Sequence, residues 1–364
     1  MNVLSLFDGI SCARVALERA GIKVKNYYAC EIDKNAIKVS LKNYPTIIHL
    51  GDVRSLTSLP EPIDLLIGGS PCQDLSIAKK DRKGLEGERS SLFWEYVRIL
   101  ELAQPKYFLL ENVASMPWRD KDIITVHMKV DPILVDASLV SAQSRRRLFW
   151  TNIPNVTQPA DRGIFLKDIL QPDTEVDESM TVDGKSFSPT AGDRQRTVIK
   201  VGHLGNSDSQ GNRVYDPEGK SVTLSANGGG LGAKTGLYWI PSPYPIHIPD
   251  GTSQESVRIG HEQRRKLKNG KRADDDPTIE AVRRIETRND DKTGTITTVL
   301  KDNHVVDISQ SRIRKLTPIE CERLQCLPDN YTEGVAKTHR YKCLGNAFNV
   351  EVISHLLSNV ADRG

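Results

Sequence analysis

Residues 3–21 read "VLSLFDGISCARVALERAG". An apolar strand, Val3 to Phe7, runs into a short turn around Gly9, and a helical stretch then closes at Gly21. Strand, glycine turn and helix make the opening unit of a wound α/β sheet, and the chain repeats that alternation. "YYACE" (27–31) is a second strand, Asp33–Asn43 a helix, "IIHLGDV" (47–53) a third strand and "IDLLIGG" (63–69) a fourth. "SSLFWEYVRILEL" (90–102) is helical, with Leu92, Phe93, Tyr96, Val97 and Leu100 on one face. "KYFLLENV" (106–113), "ILVDASLV" (133–140) and "RLFWTNI" (147–153) supply three more strands. This pattern predicts a doubly wound α/β sheet of Rossmann-like type.

Composition narrows what such a fold does here. The chain has 364 residues, 38% hydrophobic, with a formal net charge of +3. That mildly basic balance suits a nucleic-acid partner without demanding one. No apolar run reaches the length of a membrane span. Asp8 interrupts the N-terminal apolar run and no basic region precedes it, so a secretory signal is not expected. The expected compartment is the cytoplasm, where thiols stay reduced. The six cysteines (Cys12, Cys30, Cys72, Cys321, Cys326, Cys343) form no C-x-x-C pair and no zinc-finger spacing with histidine, so no metal site is expected.

The strand ends carry the chemistry. Gly9 lets backbone approach a ligand at the first turn. Glu31 closes the second strand, where an acidic residue can bind ribose hydroxyls. Asp52 closes the third and can accept from an adenine amino group. Taken singly, each is equally a structural turn or a helix cap. In register, one per successive strand, they point to an adenosine cofactor. The chain lacks both G-x-x-x-x-G-K-[ST] and G-x-G-x-x-G, which cradle phosphates. S-adenosylmethionine, which has none, is therefore favoured over NAD or ATP. At the end of the fourth strand stands "DLLIGGSPCQDLS" (64–76). Its glycines and Pro71 put Cys72 in a loop, as a nucleophile, a metal ligand or half of a disulfide. A reducing compartment weakens the disulfide reading and strengthens the nucleophile.

An ordered series of motifs resembles the cytosine-5 DNA methyltransferases. It comprises "FDGIS", "GSPCQ", "KGLEGERSSLFWEYVRIL", "ENV" (Glu111 to Val113), "QSRRR" (Gln143 to Arg147), "RKLTPIECERLQCLP" and "LGNAF". The wording of "LSLFDGI", "GDVRS", "DLLIGGSPCQDLSI" and "RKGL" is especially similar to the vertebrate de novo enzymes, in the catalytic region only. Most of the family has glycine where this chain has Ser11; serine is small enough to let the backbone pass close to a cofactor.

The resemblance implies a reaction and its residues. Carbon 5 of cytosine is a poor nucleophile until a thiolate adds at carbon 6. Cys72 is the expected nucleophile, with Pro71 stiffening its loop. Glu111, kept protonated by partial burial, is expected to put a proton on nitrogen 3. Arg145 and Arg147 alternate on a strand and so share a face. The resemblance gives Arg147 the cytosine carbonyl and Arg145 a nearby phosphate. It assigns S-adenosylmethionine to Phe7, Asp8, Gly9, Ile10, Ser11, Glu31, Ile32, Asp52, Val53, Pro71, Asn346, Ala347 and Phe348. The target base must be flipped out of the duplex.

Residues 155–308 change character, being rich in Gly, Pro, Thr and charge. "GKSVTLSANGGGLGAKTG" (219–236) and "TGTITTVL" (293–300) alternate like short strands, and "MTVDGKSFSPTAG" (180–192) loosely resembles them. "EQRRKLKNGKR" (262–272) is either a solvated loop or a phosphate-contacting patch. The expected organisation is a catalytic and cofactor domain, 1–154, an inserted, smaller, mainly β target-recognition domain, 155–308, and a returning segment, 309–364. In that scheme Gln73, Ser76, Thr223, Leu224, Arg264 and Arg265 contact DNA; Thr223 and Leu224 resemble a dipeptide found beside the flipped base. The expected partner is double-stranded DNA, met by a monomer of prokaryotic or phage-encoded type with a cognate restriction endonuclease. Two alternatives stay open: a tRNA cytosine methyltransferase, disfavoured by the large middle region, and a silent homologue, disfavoured by the intact Cys72, Glu111 and Arg147.

Overall fold

The computed structural model describes residues 1–71, 92–172, 181–182, 187–189, 198–204, 209–226, 232, 234–240, 257–265, 267–268, 271–272, 282–287, 303–307 and 312–360. For the strands at 181–189 and 257–313 only the backbone is described. The chain divides into two compact units, one of 1–170, 222–227 and 318–364, the other of 171–221 and 228–317.

The first unit is built on a seven-stranded sheet. Its strands are β1 (Asn2–Leu6), β2 (Asn26–Cys30), β3 (Ile48–Gly51), β4 (Leu65–Gly69), β5 (Tyr107–Val113), β6 (Ile133–Asp136) and β7 (Arg146–Thr151). Their spatial order is β3-β2-β1-β4-β5-β7-β6. The first five run parallel, whereas β7 is antiparallel to both β5 and β6. The central strands are mostly apolar, with Leu4, Leu6, Leu66 and Leu110 fully buried, as a sheet covered on both faces requires. The order reverses between β1 and β4, and ligands of such sheets bind at the carboxyl ends of the strands beside that reversal.

The helices are α1 (Cys12–Arg19), α2 (Lys34–Asn43), α3 (Leu92–Ala103) and α4 (Trp118–Met128). Asp33 caps α2 by accepting from Asn35 N at 2.9 Å. Helix α3 buries Phe93, Tyr96, Val97 and Ile99, while Leu92 and Leu100 pack on the core only partly covered.

The chain's last stretch returns to this unit as α5 (Pro318–Leu324), α6 (Lys337–Asn346) and α7 (Val350–Leu357). The run "GNAFNVEVISHLLSNV" (345–360) reads in sequence as one helix. The structure instead breaks the chain after Asn346: Ala347 is extended, and Asn349 caps α7 by accepting from Val352 N at 3.2 Å. Helix α7 packs on α1, joined by an ion pair from Arg19 to Glu351 at 2.6 Å.

Between α5 and α6 the loop is held by one buried carboxylate. Glu322, fully buried, accepts from Asn330 N at 2.6 Å, Thr332 N at 2.8 Å, the Thr332 hydroxyl and Arg340 Nη2 at 2.8 Å. Removing it leaves the Arg340 cation without its partner in a dry site. Glu322→Ala is expected to destabilise the fold by about 3–5 kcal/mol, read as a lower urea midpoint at unchanged slope. A change under about 1 kcal/mol would show the carboxylate to be dispensable.

The second unit contains eleven strands among its described residues: β8 (Thr181–Val182), β9 (Phe187–Pro189), β10 (Lys200–Leu204), β11 (Arg213–Tyr215), β12 (Leu237–Ile240), β13 (Val257–Arg265), β14 (Leu267–Lys268), β15 (Lys271–Arg272), β16 (Val282–Thr287), β17 (Asn303–Asp307) and β18 (Arg312–Arg314). They form a six-stranded sheet, β8-β18-β12-β11-β10-β9, a three-stranded sheet, β16-β13-β17, and the β14-β15 hairpin. Leu204, Val214 and Leu237 make a small core, with Val201 and Trp239 packed against it. The basic run at 262–272 is therefore a strand end and a hairpin. The stretch 293–300 lies outside the described residues.

Candidate active site

The turn between β1 and α1 is wound left-handed at three places: φ is 57° at Phe7, 61° at Gly9 and 62° at Ser11. Hydrogen bonds set this shape. Asp8 N donates to Cys30 O at 3.1 Å, and Ser11 N to Asp8 O at 3.1 Å. Gly9 N donates to Glu31 Oε2 at 2.8 Å, while Glu31 Oε1 accepts from Ile32 N and Asp33 N, each at 2.8 Å. No atom lies within 4 Å of where a Gly9 Cβ would stand, so the turn faces open space. Ile32, beside Glu31, is 66% exposed, an apolar surface with nothing packed over most of it.

Beneath the turn is a buried polar cluster. The Ser11 hydroxyl donates to Asp8 Oδ2, and Tyr27 Oη donates to Asp8 Oδ1 at 2.6 Å. Burial pushes the Asp8 carboxyl up from the usual aspartate range, against hydrogen bonds from Ser11, Ser5 and Tyr27 that pull it down. Ile10 is buried, and its carbonyl accepts from Tyr331 Oη at 2.8 Å. Its side chain thus serves the core.

Asp52 caps the short turn Val53–Ser55 and is gripped by Arg54 Nη2 at 2.6 Å. That guanidinium holds the Asp52 carboxyl below the usual range. Both carboxylate oxygens are engaged by Arg54, so an adenine amino group has to share Asp52 with it. Val53 is buried, and its carbonyl accepts from Arg98 Nη2 at 2.9 Å.

At the ends of β4 and β5 the paired glycines have separate reasons. A Cβ on Gly68 would stand 2.9 Å from Leu6 O. A Cβ on Gly69 would stand 2.8 Å from the Phe348 ring and 3.0 Å from Glu111 Oε2. Gly69 pairs in register with Glu111, and the next residue, Ser70, accepts from Asn112 Nδ2 at its Oγ, 3.0 Å. Strand β4 therefore ends beside Glu111, with Ser70 and Pro71 following directly. Cys72, Gln73 and Ser76 lie outside the described residues.

Glu111 Oε1 meets Arg147 Nε at 2.7 Å, both side chains largely buried. A cation is thus seated against the carboxylate, where the opposite charges stabilise one another. Arg145 departs from the sequence reading. Its side chain is 5% exposed and its Nη2 donates to Ala347 O at 2.9 Å and Gly345 O at 3.3 Å. A guanidinium turned inward to two carbonyls is not placed for a phosphate; it ties the "QSRRR" strand to the "LGNAF" turn. Glu111, Arg145, Arg147, Phe149 and Phe348 line one small cavity. Asn346 itself is exposed.

Thr223 Oγ1 donates to Ser144 O at 2.5 Å, and Leu224 is buried. A Cβ on Gly345 would collide with the backbone of Ser225 and Ala226. The segment 222–226 is thus pinned within the catalytic unit, between the arginine motif and the end of α6. Arg264 and Arg265 end β13 in the other unit, with Arg264 directly opposite Arg283 of β16.

Residues 1–362 match the family model described as C-5 cytosine-specific DNA methylase. The chain belongs to this family. It is similar over nearly its whole length to the type II methyltransferase M.HhaI of Haemophilus parahaemolyticus, 27% identical over 99% of this chain and 94% of that one. The orphan methyltransferase M.Rho11sI of Bacillus phage rho11s is likewise 27% identical, over 99% of this chain and 97% of its own. Among solved structures, the Entamoeba histolytica methyltransferase EhMeth shares the fold with a TM-score of 0.60 at 16% identity, covering 100% of this chain and 98% of that one. S. pombe Dnmt2 does so at 0.57 and 16%, covering 98% and 97%. The protein is a DNA cytosine-5-methyltransferase with the α/β fold of these enzymes. No helix among its described residues is long and apolar enough to cross a membrane.

Sequence reasoning missed several groups that shape this methylase's site. Gly345 and Ser144 lie inside motifs that were read, but their roles come from contacts with residues far away in the chain, Ser225, Ala226 and Thr223. The glycine pair at 68–69 was visible too, but only packing explains it: Leu6 against Gly68, and Phe348 and Glu111 against Gly69.

Proposed function

We propose that this enzyme methylates carbon 5 of a flipped cytosine, in a specific short sequence of duplex DNA, through a covalent adduct between Cys72 and carbon 6. The observation that carries the reading is the Glu111–Arg147 pair at 2.7 Å, beside the Gly69 end of the strand leading to Cys72. A base entering there separates the pair. Arg147 turns to the carbonyl at position 2, and Glu111, relieved of its cation, takes up a proton and shares it with nitrogen 3. Thiolate addition by Cys72 then pushes charge onto a ring that Glu111 neutralises, leaving carbon 5 nucleophilic. Arg145 holds Gly345 and Ala347 in place and so keeps Phe348 against Gly69.

The open left-handed turn at Gly9, the Glu31 carboxylate and the exposed Ile32 suit S-adenosylmethionine, an assembly of ribose, purine and a small charged tail. Glu31 would receive the ribose hydroxyls, Ile32 the purine face, and Asp52 with Val53 its edge; Phe7, Pro71 and Phe348 would close the pocket. When bound, the donor supplies an electrophilic methyl group. Incubation with labelled S-adenosylmethionine should label duplex DNA and leave tRNA unlabelled, and bisulfite sequencing of DNA from expressing cells should reveal the motif. Label entering tRNA in place of DNA would overturn the substrate assignment.

The second unit is the proposed target-recognition domain, with Thr223 and Leu224 presented to the flipped base from the catalytic side. The reading also has the enzyme act as a monomer in the cytoplasm of a bacterial cell, alongside a cognate restriction endonuclease. The β13–β16 register sets Arg264 opposite Arg283, so three arginines, with Arg265, fall at neighbouring positions of this sheet, a concentration of basic residues suited to DNA phosphate. Replacing Arg264 and Arg265 together by glutamine should weaken binding similarly on all sequences. It should also reduce the slope of log K against log salt by about 1–2. An unchanged slope with an altered methylated motif would move these residues from affinity to base reading.

A further inference from the structure

Helix α2 touches the Gly9 turn at a second place, which the sequence reading did not single out. Ser40 is fully buried, and its Oγ lies 2.6 Å from the Ser11 Oγ. The Ser11 proton is committed to Asp8, so Ser40 is the donor in that pair. Behind Ser40, 3.4 Å away, stands Nε2 of His49 on β3. A directed chain of hydrogen bonds thus runs from Ser40 through Ser11 to the Asp8 carboxyl, which Tyr27 meets from its other side. We propose that Ser40 is a positioning residue for methyl-donor binding, clamping the Gly9 turn to α2 through the Ser11 hydroxyl. This rests on the reading that the Gly9 turn holds S-adenosylmethionine.

The geometry explains why one clamp is not enough. Glu31 stands just before α2 and holds Gly9 N, but its carboxylate is also the group that the ribose must share. Ser40 lies seven residues after the Asp33 cap, two helical turns deeper. Its grip on Ser11 fixes the far end of the turn without using any atom that faces the ligand. Together the two anchors make α2 a rigid backing for a left-handed turn that would otherwise relax. Ser11 itself sits at φ 62°, where glycine is more comfortable than any residue with a Cβ. A purely steric account of Ser11 therefore expects glycine there to be neutral or better. The clamp expects the opposite.

The test uses the full-length protein, with S-adenosylhomocysteine titrated by calorimetry and S-adenosylmethionine varied in steady-state assays. Ser40→Ala should weaken S-adenosylhomocysteine binding by roughly 10-fold. The donor KM should rise to match while kcat stays within about twofold, because Glu111 and Arg147 stand on other strands. Ser11→Gly should weaken binding at least as much, and the double variant no more than Ser11→Gly alone, since both cut one chain. Should Ser11→Gly fail to fold, Ser40→Ala decides by itself. Ser40→Ala binding as tightly as the native protein, or a double variant whose losses simply add, would overturn the clamp alone. Failure of the native protein to bind S-adenosylhomocysteine would overturn the donor-site reading, and the clamp with it.

Discussion

Cys72→Ala should lose methyl transfer by at least ~10³-fold while still binding duplex DNA. The expectation follows from where β4 ends. Gly68 and Gly69 are too closely packed to carry side chains, and Ser70 is fastened to Asn112, so the strand ends rigidly. Cys72 follows that end by two residues in the sequence. The free thiol titrates near ~8.5, so only a few per cent is thiolate at neutral pH, and positioning has to supply the remaining advantage. DNA carrying 5-fluorocytosine gives the sharper measurement. Fluorine cannot leave as a proton does, so the native enzyme should form a complex that survives denaturation. Trapping by Cys72→Ala at the native level would end the covalent proposal.

Glu111→Gln should slow methyl transfer by ~10²–10⁴-fold, the usual range for a lost general acid. Glutamine keeps the size and can donate a hydrogen bond to nitrogen 3, but it cannot pass on a proton. It also replaces the charge that faces Arg147 at 2.7 Å with a neutral amide. Binding of DNA and of S-adenosylhomocysteine should change little. The decisive reading is the single-turnover rate. A value within about threefold of native lies well below that range and would leave Glu111 only the task of holding Arg147.

Where was this legible in the chain? All seven strands of the catalytic sheet overlap runs read as strands, and the central ones stand out because strands buried on both faces are mostly apolar. Their order is set by crossovers that no run encodes, and the reversed direction of β7 left no mark in "RLFWTNI". The motif residues at strand ends were equally plain. Arg145 was misread because its partners lie about 200 residues away, at Gly345 and Ala347. An arginine in a basic triplet looks solvated or phosphate-bound until the rest of the chain folds over it. Asp52 read as an acceptor for an adenine amino group or as a cap, and its grip by Arg54, two residues on, shows only in the structure. The middle region announced short strands but not their pairing, since glycine-rich alternation fixes neither register nor neighbour.

The return of the chain's end to its beginning also governs the order in which the enzyme comes into being. During synthesis the seven strands of the catalytic sheet emerge within the first 151 residues. The carbonyls that anchor Arg145, the Phe348 ring over Gly69 and the helix that covers α1 all belong to residues after 344. A nascent catalytic sheet must therefore wait, with one face of α1 bare, until the entire inserted unit has left the ribosome. That unit is subject to the same delay, for β8 near its start pairs with β18 at its end. Such distant closures fold slowly and expose apolar surface meanwhile. These contacts of the catalytic unit can therefore form only after the residues beyond 344 have been synthesised.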